Sequence, residues 1–166
     1  LLFGGIYLYS EYGLSPAEKP GPMSLLADNQ ELLTVNTTRV GSDDPVETAV
    51  AVAQIVYPAT EEENTPGAVI LINRSNFAEA LVAASRVQHF PVNAPLLYTG
   101  QDSIPELTRS ELLRLKPEGV PMDGNVQVYL VGTIGDAVVQ EVHDLGYRTR
   151  ILTADDPVAL AEVVDS

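Results

Sequence analysis

A repeated segment constrains this chain more than any other feature. Thr38-Arg39-Val40, followed by Asp43-Asp44-Pro45-Val46, returns as Thr149-Arg150-Ile151, followed by Asp155-Asp156-Pro157-Val158. The second copy carries one extra residue between its two parts. The spacing is too long for a helix pair or a propeller blade and suits a whole α/β unit. The 166 residues therefore read as one unit followed by the opening of another.

The repeated motif has a direct physical reading. Asp44 is placed to cap a helix, because its carboxylate can accept from the unpaired amides of a first turn. Pro45 suits the first helical position, where a missing N–H costs nothing. Glu47, three residues after Asp44, completes a box-like spacing and favours the positive end of the helix dipole. Asp156 and Pro157 repeat the cap, with Ala159 in place of the Glu. A well-made helix start accounts for these acids without a metal or a reaction.

Between the copies, strands and helices alternate. Leu32–Val40 contains a candidate strand, and Pro45–Val56 a helix nearly continuous in Ala and Val. Glu61-Glu62-Glu63-Asn64 reads as a solvated loop ending at Pro66-Gly67. Ala68–Ile72 is wholly apolar, the pattern of a strand buried on both faces of a parallel sheet. Asn76 is the expected cap of a helix from Phe77 to about Gln88. Pro95–Thr99 is a strand, and Ser103-Ile104-Pro105-Glu106 predicts a capping box opening a helix to Leu115. Val126–Val131 is a further apolar strand, turned by Gly132-Thr133-Ile134-Gly135 into a helix from Asp136 to Leu145. Gly146 fits that helix's left-handed stop. Arg148–Leu152 is the last strand, and Pro157–Val164 the repeated helix. This alternation predicts an α/β fold: a three-layer sandwich with a mainly parallel β-sheet and helices on both faces.

Domain organisation follows from composition. Residues 1–14 open with Leu1-Leu2-Phe3-Gly4-Gly5-Ile6-Tyr7-Leu8-Tyr9. That run is too short to span a bilayer, which takes about 20 residues. A cleaved signal would have removed its own apolar core. The stretch is read as the tail of an N-terminal membrane anchor, with tyrosines suited to the interface; a buried strand or a tail is the other reading. Residues 15–31 contain Ser15-Pro16 and Lys19-Pro20-Gly21-Pro22 and read as a Pro-rich linker. Residues 32–166 form the α/β domain. Cysteine is absent, which excludes disulfides, thiolate nucleophiles and Cys-based zinc sites. The formal charge of −14 opposes nucleic acid and anionic surfaces, and it favours solubility, cations or a basic partner.

The chain resembles the type 2 cell wall-binding repeat of bacterial surface proteins. Arg39, Gly41, Asp43 and Glu47-Thr48-Ala49 match the family's opening. Asn76-Phe77-Ala78-Glu79-Ala80-Leu81 matches its Asn-Phe-Ala-Asp-Ala-Leu helix start, with Glu for Asp. Ala94-Pro95-Leu96-Leu97-Tyr98-Thr99 matches its Ala-Pro strand, and Val131-Gly132-Thr133 its Val-Gly-Gly turn. The match runs from about Thr38 to Val164. Three features depart from the pattern. Asp44-Pro45 stands where an Arg usually follows the acid, Thr133 replaces the second Gly, and about three tandem repeats are usual. The resemblance implies repeats that pack together and bind anionic wall polymer without covalent chemistry.

No nucleophile elbow, P-loop or dinucleotide fingerprint is present. Gly132-x-x-Gly135 lies where α/β sheets bind anions, but two glycines also serve a tight turn. Ser75 follows a buried strand without the glycines of a nucleophile elbow, and His89 and His143 have no visible link to it. No catalytic, metal or cofactor site is expected. The structural or interaction candidates are Arg39, Asp43, Asp44, Glu47, Asn76, Arg150, Asp155 and Asp156. Arg39 and Arg150 are expected to brace their loops by pairing with Asp43 and Asp155.

Two roles stay open. The first is a non-catalytic domain, membrane-anchored on the extracytoplasmic side, that binds cell-envelope polymer or protein. The second is an accessory subunit of a larger membrane protein complex, such as an electron-transfer complex, capping its outer face. A hydrolase acting at the strand ends has no residue constellation behind it.

Overall fold

The computed structural model describes residues 40–85 and 93–165. The expected anchor tail and linker lie outside them, as do Arg39, His89 and all but the last residue of the strand sought in Leu32–Val40. Among the described residues no helix is long and apolar enough to cross a membrane.

The described chain alternates α1 (Pro45–Val56), β1 (Val69–Asn73), α2 (Phe77–Ala84), β2 (Leu96–Thr99) and α3 (Glu106–Leu115), then β3 (Val128–Val131), α4 (Asp136–Asp144), β4 (Thr149–Leu152) and α5 (Pro157–Asp165). The strands form one sheet in the order β2-β1-β3-β4, and each neighbouring pair is parallel. Leu71 sits opposite Leu97 on one side and Leu130 on the other. The sheet is thus wholly parallel, as the unbroken apolar runs of β1 and β3 require.

Helices cover both faces. Val69, Leu71, Leu97, Val128 and Leu130 point to the side of α1, α3 and α4, where they meet Val50, Leu112 and Val138. Ile70, Ile72, Tyr129, Val131 and Leu152 point to the other side, against Ala83 of α2 and Leu160 and Val164 of α5. Right-handed crossovers explain the division. β1 to β2 moves toward one edge through α2, whereas β2 to β3 and β3 to β4 move toward the other through α3 and α4.

The helix starts refine the expected capping chemistry. Asp44 accepts from the Val46 amide at 2.8 Å. Glu47 does not reach back to Asp44 directly: the Asp44 amide donates to Ser42 Oγ, and Ser42 donates to Glu47 at 2.7 Å. Asp156 accepts from the amides of Val158 and Ala159 at 2.8 and 2.9 Å. Asn76 accepts from the Glu79 amide. The box expected at Ser103 does not form; α3 starts after Pro105, while the Ser103 carbonyl accepts from Gly100 and Thr99. Helix α2 ends at Ala84, and the expected continuation to Gln88 runs outside the described residues. Gly146 takes the predicted left-handed stop at φ +88°.

Candidate functional site

Two places on this fold could act on a partner or ligand. The first is the carboxyl end of the sheet between β1 and β3. From these adjacent strands the chain crosses in opposite directions, so the loops above them diverge. In open α/β sheets that crevice is the usual ligand position, with amides at a helix start awaiting an anion.

Here the crevice holds the chain's own carboxylate. Glu79 of α2 is only 7% exposed. It accepts from the Thr133 amide at 2.8 Å and from the Thr133 hydroxyl at 2.7 Å. Asn73, at the end of β1, donates to the Thr133 carbonyl and accepts from the Ser75 amide. Gly132 has φ +81°, and a Cβ there would run into the Glu79 carboxylate. The turn of Gly132-Thr133-Ile134-Gly135 is therefore a tight turn around an internal anion. A neighbouring strap closes it further: the Gly135 amide donates to Gln101, Ile104 donates to Glu141, and Arg109 pairs with Glu141.

At this crevice the described residues bring no nucleophile and base together. Ser75 contributes its amide to Asn73, whereas His143 bonds Thr149 at 2.7 Å beside β4. Among the described residues no Ser–His hydrogen bond forms, and no group of three His or acidic side chains is placed to hold a metal.

The sequence candidates are scattered. Asp44, Asn76 and Asp156 are helix caps, and Glu47 serves the first cap through Ser42. Arg150 braces a loop, but not the expected one. It pairs with Asp123 at 2.6 Å, and Tyr129 donates to the same carboxylate at 2.7 Å. Asp155 is exposed beyond the end of β4, and no Arg150–Asp155 pair forms among the described residues. The hydrogen bond and charge of Asp123 raise the Arg150 guanidinium further above its ordinary value. The extended β4 backbone carries Arg150 sideways to the Pro121–Asp123 turn rather than forward to the loop after the strand.

The second place is a trough between α1 and the edge strand β2, with a volume of about 460 Å³. Ala49, Val52 and Val56 of α1 line one wall, Leu96 and Tyr98 of β2 the other, and Asp43 stands at one end. Tyr57, at the foot of α1, donates to Asn93 at 2.9 Å, and burial raises its hydroxyl pKa. Sequence reasoning missed both Glu79 and this trough. Glu79 was legible only as Glu for Asp in a matching segment, and Thr133 only as a replaced Gly. The trough was hidden because a helix nearly continuous in Ala and Val does not show which of its sides stays open.

Comparison with known proteins agrees with this architecture. The profile of the family described as cell wall binding domain 2 matches residues 39–142. Among solved structures, Cwp6 from Clostridium difficile superposes with a TM-score of 0.61 at 20% identity, over 74% of this chain and 18% of that one. Cwp8 from Clostridium difficile superposes with a TM-score of 0.58 at 20% identity, over 74% of this chain and 20% of that one. The chain thus spans about a fifth of the length of these structural neighbours. No curated protein matches it in sequence. With the profile covering most of the folded region and the sheet order and helix layers in place, the chain belongs to the cell wall binding domain 2 family.

Proposed function

We propose that this unit is a non-catalytic binding domain of the cell envelope, holding envelope polymer or protein on the outer side of the membrane. The observation that carries the reading is family membership over residues 39–142. The occupied crevice supports it: the position where an α/β enzyme would bind an anionic substrate is filled by Glu79. The apolar residues 1–14 serve in this reading as the tail of a membrane anchor, and 15–31 as a spacer. Sedimentation of the purified protein with isolated envelope tests it. Binding that soluble envelope polymer competes away supports the reading, and protein left wholly in the supernatant overturns it.

A second reading is favoured by the apolar trough on α1, a surface suited to protein rather than polymer. There the domain is an accessory subunit that braces the outer face of a membrane complex. Extraction in mild detergent distinguishes the two. Stoichiometric membrane partners support the subunit role, whereas a lone protein or one carrying polymer supports envelope binding.

A further inference from the structure

In a chain of charge −14, an arginine without a carboxylate is an anomaly. Among the described residues, Arg109 pairs with Glu141, Arg114 with Glu111 and Arg150 with Asp123, while Arg148 donates to the Gly124 carbonyl. Arg74 is the exception. It is exposed, and its guanidinium has no hydrogen-bond or ion-pair partner among the described residues. It stands at the carboxyl end of the sheet, directly after β1.

The backbone around Arg74 is fixed. Its amide donates to the Thr99 carbonyl at 2.9 Å. The buried Asn73 side chain accepts from the Ser75 amide at 3.0 Å and donates to the Thr133 carbonyl at 3.2 Å. Asn76 then caps α2. The side chains that this loop presents are not used by the unit. Phe77, the first residue of α2, is 81% exposed, and Leu81, on the same helix face one turn later, is 65% exposed. An arginine and an aromatic ring held outward by a rigid frame have the composition of a binding hot spot.

The two side chains select a ligand by their chemistry. A guanidinium offers a planar fork of donors to a carboxylate or phosphate. A phenyl face is apolar and weakly negative, and it suits the C–H face of a sugar ring. The crevice beside them cannot take the anion, because Glu79 already occupies the Thr133 amide. An incoming oxyanion is therefore left to Arg74, outside the crevice.

We propose that Arg74 and Phe77 form a binding site for an anionic sugar of the envelope polymer. Arg74 holds the carboxylate or phosphate, and Phe77 packs under the ring. This assignment rests on the envelope-binding reading given above. One guanidinium does not reverse the long-range repulsion of the chain; it acts at contact distance.

Co-sedimentation of the full chain with isolated envelope tests the site. Arg74→Ala should weaken binding by about tenfold or more. Phe77→Ala should weaken it too, Phe77→Tyr should restore it, and the melting temperatures should not move. Arg74→Gln carries the test if Phe77→Ala melts below the wild type. Arg148→Ala changes the net charge equally at the opposite end of the strands and should bind as the wild type does. Full binding by Arg74→Ala overturns the site and leaves the envelope reading standing, and equal losses for Arg74→Ala and Arg148→Ala do the same. Wild type left in the supernatant overturns both. Protease-digested envelope should bind unchanged; loss of binding would make the partner a protein and overturn the proposal. Amidation of envelope carboxyls and acid removal of envelope phosphates distinguish the two oxyanions. Binding that survives both treatments together overturns the role of Arg74.

Discussion

At the scale of single residues, Glu79 carries the most consequence. Its carboxylate satisfies the Thr133 amide and hydroxyl inside a turn that leaves no space for a Cβ at Gly132. Glu79→Ala leaves that buried amide without its acceptor and should cost about 1–3 kcal/mol. The urea midpoint would fall with an unchanged slope; an unchanged midpoint would mean that water replaces the carboxylate fully. Glu79, which stands for the family's Asp, and Thr133, which stands for its second Gly, touch each other. A double-mutant cycle of Glu79→Gln and Thr133→Gly should therefore show a coupling of roughly 0.5–3 kcal/mol, where independent sites would show almost none. Arg150 is a different case. Its bond to Asp123 is short but lies at the surface, so Arg150→Ala should cost less than about 1 kcal/mol in the same measurement.

At the scale of elements, α1 and α5 make a controlled experiment within one molecule. Val52 and Val164 occupy the same repeat position with opposite exposure. Val164→Ala removes buried methyl groups and should cost about 1.5–3 kcal/mol, whereas Val52→Ala should stay within about 0.5 kcal/mol. Similar costs for the two would show that the trough is covered within the isolated chain. The alternation of strands and helices, the parallel sheet and both Asp-Pro helix starts were legible in the sequence. Each rests on a local signal: period, a capping side chain, a proline without its N–H. The Ser103 box was not, because the Ser103 carbonyl is drawn into the turn with Gly100 and Thr99. The capping pattern lost to a competing local turn over residues 99–103.

At the scale of the whole molecule, the chain's formal charge of −14 would oppose contact with an anionic polymer, the ligand class the proposed envelope role implies. Raising salt from about 0.01 to about 0.15 M shortens the Debye length from about 30 to about 8 Å and screens the repulsion. The fraction that sediments with envelope should rise over this range. A falling fraction would mean that a local basic contact dominates the long-range field. Among the described residues the acids lie mostly in caps, in loops and on the outer sides of helices, around an apolar two-sided core. Glu79 and Glu111 are the buried carboxylates among the described residues, and each has partners: Thr133 for the first, Gln54 and Arg114 for the second.

The sequence by itself determined the fold class, the order of its elements, the family and the capping of its repeated helices. These follow from periodicity and from interactions within a few residues along the chain. Only the tertiary structure decided three further things: that Glu79 fills the crevice, that Arg150 pairs with Asp123, and that equal valines in two copies of one helix face opposite ways. Those depend on which surfaces the crossovers bring together. A helix with apolar side chains on two sides does not reveal, from its own sequence, which side its neighbours will cover.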